Sequence, residues 1–158
     1  MTIEPKPGLV IRFDFLWKDE QRAGADHGAK DRPCVIILTG KPREDGSRDV
    51  VLCPITHAPP RGTESGVEIP QKVAHHLGLD DDRSWVKTHQ VNVVTWERDR
   101  LPFGVSPARP GAWAFGLLPL GLGRQAFEQV RERSLGRSFE QVRRDDGVRR
   151  VRRDRGDG

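Results

Sequence analysis

Over residues 8–17 the apolar positions alternate: Leu9, Ile11, Phe13, Phe15 and Trp17 share one parity, while Arg12 and Asp14 fall on the other. A repeat of two is the repeat of a strand, so this stretch predicts a half-buried β-strand. Two continuous apolar runs rich in β-branched residues follow, at 33–38 (PCVIIL) and 50–55. Both read as buried strands. The charged, aperiodic stretch at 18–30 reads as an exposed loop, long enough to suggest a functional role. A turn carrying Pro42 and Gly46 separates the two apolar runs.

Further along, 67–69 predicts a short edge strand ending at Pro70, and 71–77 predicts one or two helical turns stopped by Gly78. Residues 84–96, rich in Val, Thr and Trp, read as one long strand, and 101–110 as irregular chain. The longest expected helix covers 123–133, with Phe127 and Val130 on one face. Its segment Phe127-Glu128-Gln129-Val130-Arg131 recurs as Phe139-Glu140-Gln141-Val142-Arg143 beyond Gly136, which suggests a break and a second short helix. Five strands with short connections predict a mainly β (β+α) fold: a small, partly open barrel of the SH3-like or OB-like kind with a C-terminal helix. The barrel and helix are expected over residues 1–135. A short helix and an arginine-rich, disordered tail are expected over 136–158.

Composition adds bounds. A chain of 158 residues suits one core, and 35% apolar with 32% charged residues is lean but globular. The most apolar stretch, 113–123, is broken by Pro119 and is too short to span a bilayer. No secretory leader pattern opens the sequence, so a cytoplasmic protein is expected. Cys34 and Cys53 lie inside apolar runs, where buried free thiols are expected rather than a disulfide. The net charge of +4 does not describe the body: residues 143–158 hold seven arginines and four aspartates, leaving +1 for the first 142 residues. Any nucleic-acid site must therefore be a local cluster.

Three elements place polar groups at the boundaries of apolar strands: Asp31-Arg32-Pro33, Pro54-Ile55-Thr56-His57, and Lys87-Thr88-His89-Gln90. Strand ends are rigid in backbone yet open to solvent, which suits a pre-organised site. No metal is expected: His75 and His76 are adjacent and diverge on a helix, and the aspartate run at 80–82 lacks EF-hand spacing. Trp17, Trp85, Trp96 and Trp113 read as core or interface residues, or as stacking platforms for bases.

In order and spacing these elements resemble the PemK/MazF family of toxins from type II toxin–antitoxin pairs. The segments that carry the resemblance are PGLVIRFDF at 7–15, KDRPCVIIL at 30–38, VLCPITH at 51–57, VEIP at 67–70 and SWVKTHQV at 84–91. It implies an SH3-like barrel, a homodimer, and metal-independent, cofactor-free cleavage of single-stranded RNA that is inhibited by a cognate antitoxin. It also implies catalytic positions at Arg32 and Thr56. His89 would be a proton carrier, with Lys87, Gln90, His57 and Lys30 contacting substrate. Lys87, His89 and Asn92 depart from the family's late strand, where arginine and aspartate are common. A catalytically silent RNA- or protein-binding module on the same barrel is therefore the alternative expectation.

Overall fold

The computed structural model describes residues 3–80, 82–136 and 139–144. Its strands are β1 (Leu9–Phe13), β2 (Arg32–Thr39), β3 (Arg48–Thr56), β4 (Gly66–Ile69), β5 (Ser84–Lys87), β6 (Gln90–Trp96), β7 (Val105–Ser106), β8 (Ala114–Leu117) and β9 (Glu140–Arg143). Helices α1 (Lys18–Arg22), α2 (Gln71–His76) and α3 (Leu120–Ser134) lie between them. The strands form one unclosed sheet, mainly antiparallel, ordered β4-β5-β3-β2-β1-β7. β8 also pairs with β1, and β6 with β3, while β9 lies parallel to β6. The expected mainly β fold with a long C-terminal helix is the observed one.

The alternation of β1 divides its side chains between two cores. Leu9, Ile11, Phe13 and Phe15 join Cys34, Ile36, Val50, Leu52, Val94 and Trp96 on one face. Val10 points the other way and joins Val35, Cys53, Ile55, Val86 and Val91 beneath α2 and α3, which contribute Ala74, Ala126 and Val130. Strands β2 and β3 serve both cores, which is why their sequences are continuous apolar runs. Cys34 and Cys53 are both buried and free.

Three local expectations give way. Residues 18–22 form a short helix rather than open loop. Glu20 explains it: one carboxylate oxygen accepts the Trp17 N–H at 3.0 Å and the other accepts the Ala29 N–H at 3.1 Å, closing the segment on itself. Gly28 lets this segment return against β1, because a Cβ there would collide with the Asp14 and Phe15 carbonyls. The expected long strand at 84–96 is two strands, β5 and β6, pairing with successive parts of β3. Pro54 lacks an N–H, and at the break the Thr88 N–H turns to the Ser65 carbonyl at 3.0 Å while the His89 carbonyl accepts the Glu140 N–H at 3.0 Å. Finally, the expected second short helix at 139–143 is strand β9. Four residues cannot nucleate a helix alone, whereas the edge of β6 offers them backbone partners and a buried place for Val142. Residues 145–158 of the expected tail lie outside the described residues.

Candidate active site

Arg32 opens β2, opposite Phe13 of β1. The register between β2 and β3 runs Cys34↔Pro54 and Val35↔Cys53, and continuing it by two residues brings Arg32 level with Thr56. Both residues share the parity of Cys34, Ile36 and Leu52, so they lie at the same end and on the same face of the sheet. The Arg32 guanidinium carbon stands 5.4 Å from the centre of the Trp17 ring, a cation–π contact. Its Nε is buried and has no hydrogen-bond partner. A guanidinium is a fork of donors; with Nε buried, it is the terminal nitrogens, which make no hydrogen bond to the described residues, that can meet an anion. The Thr56 hydroxyl donates to the Ala58 carbonyl at 3.2 Å, leaving its oxygen lone pairs available.

The plate under Arg32 is itself held in place. Trp17 packs edge-on against Phe15 at 5.0 Å. Gln90 accepts the Lys18 N–H at 3.0 Å, and Asn92 brackets Leu16, accepting its N–H at 2.9 Å and donating to its carbonyl at 2.8 Å. Alternate residues of β6 thereby sew residues 16–18 to the sheet. Behind Asn92, just past β9, lies Arg144, which belongs to no motif of the sequence. It donates to the Asn92 side-chain oxygen at 3.0 Å, to the Asp14 carbonyl at 2.8 Å and to the Asp14 carboxylate at 2.9 Å. It also stands 4.7 Å over the Phe13 ring. The Phe-Glu-Gln-Val-Arg echo ends one residue short of Arg144, at Arg143, and reads as a helix.

A cavity of about 240 Å³ adjoins this strand end, and Arg12, Asp31, Arg32, Ile55, His57 and Phe115 are among its lining residues, with Leu79, Asp80 and Ser84 completing the far side. His57 is fixed within it. Nδ1 stands 3.0 Å from the Arg83 carbonyl and Nε2 stands 3.0 Å from the Asp80 carboxylate. Both neighbours only accept, so the doubly protonated imidazolium satisfies the pair. The hydrogen bond to the Arg83 carbonyl, helped by Asp80, accordingly raises the His57 pKa. One nitrogen of His57 and the carboxylates of Asp80 and Asp82 place ligand atoms within 4.8 Å of one another, the one such grouping among the described residues. All three are exposed.

Lys87 and His89 lie elsewhere, at the β5–β6 junction. The Lys87 side chain is 5% exposed, and its ammonium donates to Glu64 at 2.7 Å and to the Pro59 carbonyl at 3.4 Å. His89 sits with Nδ1 3.4 Å from the Ser65 carbonyl and Nε2 3.9 Å from Glu64, and burial lowers its pKa. Thr88 between them is fully buried, receiving the Ser65 hydroxyl at 2.6 Å and donating to Gln129 of α3 at 2.7 Å. Neither Lys87 nor His89 lines the Arg32 cavity. Lys30 is exposed, two residues before Arg32. Arg32 and His57 thus both line one cavity at this strand end, although by parity the Arg32 and Thr56 side chains belong to the Trp17 face and His57, like Ile55, to the other, while Gln90 is spent on the Trp17 segment. Arg12, Asp80, Ser84 and Phe115 were absent from the sequence-based site, since they come from separate elements with no shared motif.

This is a mainly antiparallel β-sheet protein with an arginine and a histidine at one strand end. The family model described as PemK-like, MazF-like toxin of type II toxin–antitoxin system matches residues 11–107, and the chain belongs to that family. The match runs from β1 through β7 and includes Arg32, Thr56 and His57. Membership implies a toxin of a toxin–antitoxin pair, a class whose members are generally endoribonucleases. Comparisons with curated proteins and with solved structures return no match.

Proposed function

We propose that this protein is a metal-independent endoribonuclease toxin that cleaves single-stranded RNA and is held inactive by a cognate antitoxin. The observation that carries the reading is the Arg32 guanidinium at the end of β2, held on Trp17, with its terminal nitrogens free of hydrogen bonds to the described residues. In such a cleavage the ribose 2′-oxygen attacks the adjacent phosphorus, the bond from phosphorus to the 5′-oxygen breaks, and the 2′-proton passes to solvent water. A second proton goes to the departing oxygen. Cyclic 2′,3′-phosphate and 5′-hydroxyl ends result. Arg32 neutralises the phosphorane through charge-assisted hydrogen bonds, with the Thr56 hydroxyl beside it.

For the proton, His57 is better placed than His89. It lines the cavity with Arg32, and its contacts favour the protonated, acid form. Burial of His89 favours its neutral form at a site away from Arg32. Among the described residues no helix is long and apolar enough to cross a membrane. A cytoplasmic homodimer is the proposed working form.

The test is incubation of the purified chain with long single-stranded RNA in EDTA, beside Arg32→Ala. Discrete fragments with 5′-hydroxyl ends are expected, with the rate lowered by roughly 10²–10³ in the variant, the scale of losing one oxyanion donor. Intact RNA that is nonetheless bound in a salt-dependent manner would favour the silent binding module.

A further inference from the structure

We propose that the cavity beside Arg32 is a base-reading subsite that takes one guanine of the RNA, with the Asp31 carboxylate as reader and Arg12 and Arg32 holding the adjoining phosphates. This deepens the ribonuclease reading and rests on it for the identity of the polymer.

Size sets the first limit. Pockets for drug-sized ligands run from about 300 to 1,000 Å³, so a cavity of about 240 Å³ suits a single flat ring system rather than a folded or extended ligand. Its apolar lining comes from Ile55, Leu79 and Phe115, an aliphatic and aromatic surface of the sort on which a splayed base is stacked. The polar lining then decides which base. Asp31 and Asp80 offer acceptors only. Asp80 is occupied on both oxygens, by His57 at 3.0 Å and by the Asp82 N–H at 3.3 Å. Asp31 is not. Its Oδ2 meets the Ser106 hydroxyl at 3.4 Å and Arg12 Nε at 3.8 Å, while its Oδ1 receives no hydrogen bond from the described residues.

With Oδ1 open and Oδ2 holding only these two long contacts, the carboxylate can still accept from two adjacent donors of one base. Guanine presents them, as N1–H and the 2-amino group. Adenine and cytosine each set one amino group beside an acceptor nitrogen, and uracil sets one N–H between two carbonyls. The phosphates on either side of a seated base carry the negative charge that suits Arg12, 46% exposed, and the terminal nitrogens of Arg32, both of which line the cavity.

Titration of the full-length protein with GMP, AMP, CMP and UMP, followed by amide and methyl NMR shifts, tests this. GMP is expected to bind in the millimolar range or tighter, to shift Ile55, Leu79 and Phe115, and to bind about tenfold more tightly than UMP. Asp31→Asn exchanges one acceptor for a donor; it should lose about tenfold for GMP and gain relatively for AMP and CMP. Asp31 is exposed, so the fold should survive, and unchanged amide shifts away from the cavity would verify it. Equal binding of the four nucleotides, shifts away from the cavity, or GMP binding indifferent to Asp31→Asn would each overturn the subsite. GMP binding without RNA cleavage would retain the subsite and remove the catalytic reading. Cleavage with no guanine near the cut would do the reverse.

Discussion

Replacing Arg144 by methionine should cost this fold more than any surface substitution. The guanidinium is 3% exposed and its partner Asp14 is 12% exposed. Three hydrogen bonds go to Asp14 and Asn92, and the ring of Phe13 covers one face. Methionine keeps much of the apolar stem but leaves a buried carboxylate without its cation, a loss of about 3–5 kcal/mol. For a chain of this size that corresponds to a fall in Tm on the order of 10 °C. The penalty should also depend on pH. Burial raises the Asp14 pKa above its ordinary value, and Arg144 works in the opposite direction. Without Arg144 the folded-state pKa climbs further. The variant then regains stability as pH falls through that raised value, because protonation removes the stranded charge. Urea unfolding followed by tryptophan fluorescence, at pH 7.5 and at pH 5, reads both effects. Adding Asp14→Asn should recover part of the loss. A loss below about 1 kcal/mol at both pH values, the scale of an exposed ion pair, would refute the reasoning.

Two further predictions concern the other charged contacts. Asp49 accepts from Arg43 at 2.9 Å and from Arg143 of β9 at 2.8 Å, and the hydrogen bond from Arg143, with help from Arg43, lowers its pKa to about 2 from 3.8. A depressed folded-state value stabilises above the unfolded value and is lost as pH falls from about 4 towards 2. Asp49→Asn should therefore flatten the acid limb of the stability profile in that window, and an unchanged limb would count against the pairing. At the β5–β6 junction, Glu64→Gln should destabilise more than Lys87→Met. The first strands a buried ammonium, at a cost of about 3 kcal/mol, whereas the second frees a carboxylate that is 38% exposed and can hydrate. Equal urea midpoints for the two variants would contradict this.

How far the sequence could be read depended on whether a segment's structure was decided locally. The alternation of Leu9, Ile11 and Phe13 and the apolar runs of β2 and β3 were legible because burial on one or two faces leaves a direct imprint on the pattern. Helix α3 was legible through Val130 and Phe127. The failures came where distant partners decided. Helix α1 depends on Glu20 reaching Ala29, the break at Thr88 on Ser65 and Gln129, and β9 on the open edge of β6. For the candidate site, Arg32 was visible as the residue that opens a buried strand. Its cavity was not, because Arg12, Asp80, Ser84 and Phe115 come from four separate segments.

The departures at 87 and 92 gain a physical account from their partners. An ammonium at 87 requires a buried acceptor, and Glu64 in the 59–65 loop supplies it. At 92, the residue must both accept and donate to hold the Leu16 backbone, which an amide does and a guanidinium, having no acceptor, does not. The same amide oxygen also receives Arg144, so a second guanidinium at 92 would set two cations together in a buried place. Asn92 and Arg144 are therefore one device, and half of it lies beyond the matched segment 11–107. The device ends at Leu16, one residue from the Trp17 ring that carries Arg32. Strand β9 is consequently part of what positions the candidate site, and a chain cut before residue 139 should lose the placement of Trp17 along with the stability that Arg144 confers.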